Sequence, residues 1–146
     1  MSFESIKEKI KEFNEFINKY PNIKEFYLGR ALLYAKTKQY KKAVLDYEKA
    51  YQNYTCGYDI IDICERNDLI KEAEEFYTKA INLNKNNAEN YFNRAYFYRR
   101  IDELEKALCD CKSGLKLSPN NENLLLLQKI LIEKLKFTYN TLAAKN

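Results

Sequence analysis

The residues able to do bond-making chemistry are few and badly spaced for it. The chain has no histidine, so the usual general base near neutral pH and the commonest metal ligand are both missing. Four cysteines stand at Cys56, Cys64, Cys109 and Cys111. Cys109 and Cys111 are two positions apart, which on a helix is roughly 200° of rotation, so their thiols do not face one metal ion. By repeat register Cys111 and Cys64 are expected in the core and Cys109 nearer the surface. Carboxylates pair at Glu74/Glu75 and at Asp59/Asp62. Asp59 and Asp62 share a helix face and suit a lysine or arginine, but nothing around them would set one as acid and the other as base. There is no glycine-rich phosphate loop and no nucleophile elbow. No catalytic residue, cofactor or metal site is expected, and the chain reads as a non-enzyme.

Binding chemistry is better represented. "YFNRAYFYRR" (Tyr91 to Arg100) packs five aromatics and three arginines into one short run. Stacking rings beside guanidinium groups are what single-stranded nucleic-acid binders use. Here the neighbouring Asp59, Asp62 and Glu65 oppose phosphate, and the pI of 8.7 is below that of typical nucleic-acid domains. No nucleic-acid partner is expected.

Composition limits the elements that can carry these residues. The chain of 146 residues is 46% hydrophobic and 32% charged, with net charge +4, 3 glycines and 2 prolines. An all-β domain needs turn residues every ~8–12 positions, so long helices are the expectation. No apolar run reaches the ~20 residues of a membrane span, and "MSFESIKEKIKEF" lacks the apolar stretch of a signal peptide. A cytoplasmic protein with reduced cysteines and no membrane partner is expected.

The quoted pattern recurs. "YLGRALLY" (Tyr27–Tyr34) aligns with "YFNRAYFY" (Tyr91–Tyr98), setting Tyr27, Arg30, Ala31 and Tyr34 on Tyr91, Arg94, Ala95 and Tyr98. Downstream, "YKKAVLDYEKAY" aligns with "LEKALCDCKSGL", pairing Ala43 with Ala107 and Asp46 with Asp110. "IKEAEEFYTKAI" between them keeps Ala73, Tyr77 and Ala80 in register. The interval from Ala43 to Ala73 is shorter than that from Ala73 to Ala107 by four positions, close to one helical turn. The missing turn is most simply placed at "QNYT". A two-helix unit of about 34 residues with a small residue where helices cross resembles the tetratricopeptide repeat.

The resemblance covers roughly residues 24–121 and implies an all-α fold, a right-handed α-solenoid of antiparallel helix pairs with about eight helices. The expected division is an N-terminal capping helix at 1–21, a shortened repeat at 24–53, a divergent repeat at 54–87, a third repeat at 88–121 and a C-terminal capping helix and tail at 122–146. Such units cannot bury their apolar faces alone and must stack. In the first helix, Ile6, Ile10, Phe13 and Ile17 fall on one side.

At about 100° per residue, Tyr91, Ala95 and Tyr98 face the partner helix, while Phe92, Asn93, Tyr96, Arg99 and Arg100 share another side. In the family that side lines a concave groove. The expected groove adds Leu28 and Leu32, with Glu25, Gly29 and Lys36 at matching positions. From the second repeat come Thr55, Tyr58, Asp59, Asp62, Glu65 and Arg66, and from the last helix Leu126, Leu127 and Ile130. The alternative is that the last helix or the tail "FTYNTLAAKN" covers part of this strip. Arg30/Asp46 and Arg94/Asp110 share one offset along the chain, and the middle repeat has Ile60/Phe76 at that same offset. Both charges are present or both are gone, as expected of structural ion pairs between the two helices of a repeat.

Many family grooves hold an acidic chaperone tail. Asn93 fits that pattern, but Leu28, Leu32, Asp59 and Glu89 replace the rest of the clamp, and the two acids oppose a carboxylate-rich ligand. The expected function is a protein–protein interaction module holding a partner's peptide or helix in the groove. A basic ligand residue would meet Asp59 and Asp62 and an acidic one Arg99 and Arg100. The alternative is a self-associating scaffold, a homodimer through the leucine-rich last helix, whose apolar residues exceed one capping stripe.

Overall fold

The computed structural model describes residues 1–50 and 58–146, leaving aside the side chains of residues 58–60 and 65. The shortened connection expected at "QNYT" and the groove position Thr55 lie outside the described residues. Those residues form eight helices: α1 Phe3–Lys19, α2 Lys24–Lys36, α3 Tyr40–Ala50, α4 Tyr58–Arg66, α5 Ile70–Leu83, α6 Ala88–Arg100, α7 Leu104–Leu117 and α8 Glu122–Ala144. They fall into two compact units, Met1–Phe76 and Tyr77–Asn146, divided within α5.

In the first unit α1 packs on α2 and α2 on α3, and α3 also touches α4. The Ser2 hydroxyl caps α1 by accepting the Ser5 N–H at 3.2 Å. Ile6 and Ile17 of the α1 stripe are buried, and Ile10 and Phe13 half-buried. Gly29 of α2 is needed for a close approach: a Cβ there would overlap the Phe13 ring. The α1–α2 corner is aromatic, with Phe16 stacked on Phe26 at 5.2 Å between centroids.

In the second unit α6 packs on α7, and α8 on both. Ala95 and Ala107 are fully buried, and their small side chains let the α6 and α7 axes come close. Gly114 leaves room for Leu124. A Cβ on it would stand 2.7 Å from Leu124 Cδ1 and 3.3 Å from Tyr91 Cβ. Asn87 and Asn121, one repeat period apart, cap α6 and α8, each side-chain oxygen accepting a first-turn N–H at 3.0 Å. The expected tail does not fold back; it runs on as helix to Ala144.

A feature the sequence conceals closes each helix pair. Lys38, Asp68 and Asp102 take left-handed φ values of 59°, 54° and 63°. The interval between the first two is shorter than that between the last two, the same shift seen in the alanines. Gln39, Leu69 and Glu103, each the next in the chain, donate N–H groups to Tyr34, Cys64 and Tyr98 carbonyls at 2.8–2.9 Å. This is the glycine-type helix stop built without glycine. A left-handed L-residue costs roughly 1–2 kcal/mol, so Lys38→Gly and Asp102→Gly are each expected to raise the unfolding free energy by about 0.5–1 kcal/mol. Urea denaturation midpoints check this; an unchanged or lower midpoint contradicts it.

Candidate protein-interaction site

Helix α6 is held by polar contacts that set its rotation. The Asn90 amide donates to the Ala80 carbonyl at 3.0 Å. The Arg94 guanidinium forks onto Asp110, Nε to Oδ2 and Nη2 to Oδ1, both at 2.8 Å, and Nη1 reaches Thr78 Oγ1 at 3.0 Å. Arg30 does the same in the first unit. Its Nε and Nη2 donate to Asp46 at 2.7 and 2.6 Å, and its Nη1 donates to Asn14 Oδ1 at 2.6 Å. Donating to the Asp46 or Asp110 carboxylate holds each arginine more firmly protonated than usual, against the opposing effect of burial.

The structure thus brings Arg30 to Asp46 and Arg94 to Asp110, and each arginine ties three helices rather than two. Asn14 and Thr78 are additions to the expected pairs. The signal was there: each precedes its arginine by the same interval at which the aspartate follows it. A second recurring arrangement is ionic–aromatic. Tyr34 has Arg30 and Lys42 over its ring at 5.7 and 5.4 Å, and Tyr98 has Arg94 and Lys106 at 5.7 and 5.3 Å.

With Ala95, Phe97 and Tyr98 buried, α6 turns another side outward. Tyr96 and Arg100 are exposed, and Phe92, Asn93 and Arg99 are half-buried. The Phe92 and Tyr96 rings lie 6.1 Å apart, and Arg99 sits over Tyr96 at 5.8 Å. Two rings and a cation therefore form a ladder along one helix, with apolar faces and one positive end.

The other expected groove residues divide between the units. In the second unit Leu126 is 60% exposed and Ile130 half-buried. They stand one repeat period after Phe92 and Tyr96. Leu127, grouped with them in the sequence, is 3% exposed; it joins Leu124 and Leu131 in the core line of α8, one step round the helix. In the first unit Leu32 is exposed and Leu28 half-buried, while Gly29 is closed off by Phe13. The Asp62 carboxylate accepts Arg66 Nε at 2.8 Å one turn on, so its charge is partly met on its own helix. The side chains of Tyr58, Asp59, Ile60 and Glu65 lie outside the described residues.

Cys64 and Cys111 are buried and Cys109 is exposed. Burial, with a smaller contribution from Asp110, pushes the Cys111 thiol up to about 11, so it stays protonated at neutral pH. In the folded chain iodoacetamide is expected to modify Cys109 while Cys64 and Cys111 react only on unfolding. Peptide mapping reads this directly; early labelling of Cys111 contradicts the packing. Among the described residues no cluster of three or more cysteines or carboxylates is placed to hold a metal ion, and no helix is long and apolar enough to cross a membrane.

Two family models described as tetratricopeptide repeat match the chain, one over residues 24–53 and 62–87 and the other over 76–108. Together they cover more than half of it. Solved structures share the fold. The first TPR domain of human RPAP3 is 22% identical with a TM-score of 0.57, covering 82% of this chain and 98% of that one. The first TPR of Spaghetti (RPAP3), bound to the HSP90 peptide SRMEEVD, is 21% identical with a TM-score of 0.54 over 77% of this chain and 93% of that one. YrrB, a TPR protein with an unusual peptide-binding site, is 17% identical with a TM-score of 0.56 over 91% and 71%.

Fold and repeats define an all-α protein of the helical-repeat solenoid class. The chain belongs to the tetratricopeptide repeat family.

Proposed function

We propose that this chain is a non-enzymatic, cytoplasmic protein-interaction module that binds a peptide or helix of a partner protein. The observation carrying this reading is the outward ladder of Phe92, Tyr96 and Arg99 on a helix whose other sides are locked in the core. Packed rings next to a guanidinium are the side chains that dominate binding energy at protein interfaces. The peptide bound to Spaghetti (RPAP3) and the peptide-binding site of YrrB lend support by analogy of fold. Leu28 and Leu32 are proposed as further apolar ligand contacts, Asn93 as a donor to ligand backbone, and Asp59 and Asp62 as partners for a basic ligand residue.

The test is a displayed-peptide selection on the full chain. Selected peptides are expected to lose at least ~30-fold in affinity for Phe92→Ala/Tyr96→Ala, with the helical circular dichroism retained. Unchanged affinity sinks the reading. If the double variant unfolds, the single Tyr96→Ala decides, because Tyr96 is 44% exposed.

Self-association is the second reading. It is favoured by α8, where Leu125, Leu126, Ile132, Phe137 and Leu142 are all exposed. A monomeric mass of 17.4 kDa by light scattering across a concentration series would remove it.

A further inference from the structure

We infer that two copies of this chain pair through the outer face of α8, the two helices antiparallel about a two-fold axis. This rests on the self-association reading and gives it a face, a direction and a register.

Repeat register shows which face is uncovered. Helix α7 covers α6 where Ala95 and Tyr98 are buried, Arg94 reaches Asp110 and Tyr91 lies against Gly114. One period later α8 has Leu125, Gln128, Lys129 and Ile132 at these places. Leu125 and Ile132 are exposed, and α6 and α7 pack on other sides of α8.

The uncovered face runs on. Leu125, Gln128, Ile132, Leu135, Tyr139 and Leu142 alternate steps of three and four, the spacing of a coiled-coil seam. Tyr139 and Leu142 are exposed, and Gln128 and Leu135 half-buried. The Tyr139 hydroxyl donates to Glu105 in the first turn of α7 at 3.1 Å, so Leu142 projects past α7. Buried Leu124 and Leu131 border one edge of the seam, while Leu126 and Ile130 lie more than a third of a turn round. The seam is thus separate from the line that continues Phe92 and Tyr96.

This seam fits its own copy. An alternation of three and four reads the same in both directions. An antiparallel α8 therefore sets Leu125 on Leu142, Gln128 on Tyr139 and Ile132 on Leu135 of the second copy. Apolar meets apolar, and the one amide meets the phenol oxygen. The other end of a second copy does not fit. Helix α1 stands to Arg30 as α5 stands to Arg94, through Asn14 and Thr78, and carries Lys9 and Phe16 where α3 has Ala43 and Ala50. Stacked on α8, it would set Lys9 against Lys129 at the crossing and a ring where a small side chain is required. A closed two-fold pair is left, rather than an open head-to-tail chain.

Lysines limit its strength. Lys129 and Lys136 border the other edge of the seam with Glu133 between them, all exposed, and the pairing brings Lys129 near Lys136 of the second copy. Salt screens such repulsion, so association tightens as salt rises, opposite to a contact built on ion pairs.

Sedimentation equilibrium of the full chain is expected to give a reversible dimer with Kd about 10–100 µM, several-fold tighter at ~0.5 M than at ~0.05 M salt. Leu142→Glu, on a side chain past α7, is expected to weaken it at least ~10-fold with the helical circular dichroism retained. Leu126→Glu, off the seam, is expected to leave it unchanged. In a Cys56→Ser/Cys109→Ser background, Leu125→Cys chains mixed with Leu142→Cys chains are expected to cross-link on oxidation. Neither does so alone, because like positions stand about 26 Å apart. A monomer at all concentrations overturns the inference together with the self-association reading, even if another protein's helix is found to protect Leu125 and Leu142. A dimer that survives Leu142→Glu, dissociates in high salt, or cross-links Leu125→Cys chains to each other overturns the seam and leaves self-association standing. The interaction-module reading is judged separately, by the peptide selection against Phe92→Ala/Tyr96→Ala.

Discussion

Asp110→Ala is expected to lower the unfolding free energy by about 3 kcal/mol, the low end of what breaking a buried ion pair costs. The low end applies because the Arg94 side chain keeps 19% of its exposure while Asp110 keeps 6%. The loss comes less from the missing attraction than from what remains. Arg94 would stay seated beside Tyr98 and Thr78, with two of its N–H groups unpaired and desolvated. The middle repeat shows the way out, since it has an apolar residue at both positions. Arg94→Ile/Asp110→Phe is therefore expected to recover most of the loss, and a double-mutant cycle by urea denaturation measures the coupling. A loss under ~1 kcal/mol for Asp110→Ala would class the pair with surface salt bridges. Thr78→Val should cost about 1 kcal/mol, one hydrogen bond.

The second large effect lies close to Arg94 on the same helix. Phe97→Ala is expected to cost about 3–5 kcal/mol. Phe97 is 1% exposed and is held by Tyr77 at 5.2 Å and Tyr98 at 5.6 Å between centroids. Truncation would leave a ring-sized cavity that rigid helices cannot close. Its neighbour Tyr96 gives the contrast: Tyr96→Ala should cost under ~1 kcal/mol of stability and act on binding instead. Thermal melts of the two variants separate the roles, and a comparable loss in both would mean that the outward face of α6 is misassigned.

The Arg94–Asp110 pair and Phe97 show where the sequence was legible and where it was not. Recurrence of Tyr, Arg, Ala and Tyr at a fixed spacing revealed helix pairs, because each pair must offer the same small residue at its crossing and the same apolar residues to its neighbour. The joint presence or joint loss of arginine and aspartate revealed contacts between helices, because burial penalises either charge alone. Phe97 does not stand out in the sequence, since Tyr96, Tyr98, Arg99 and Arg100 beside it are also aromatic or basic and helical spacing alone does not say which side of such a helix is covered. Leu127 was misplaced for a similar reason. In "NLLLLQKILIEKL" the apolar line can be drawn through more than one set of leucines, and only the seat that Gly114 leaves for Leu124 fixes the rotation of α8.

By itself the amino-acid order determined an all-α repeat protein of this family, its repeat register, and the pairing of its buried charges. Those follow from periodicity, which is a property of the chain. Tertiary structure alone decided the left-handed turns at Lys38, Asp68 and Asp102 and the exposure of Phe137. Each depends on which helix lies beside which and how far one runs past the other, and packing sets that geometry without requiring a distinctive residue type.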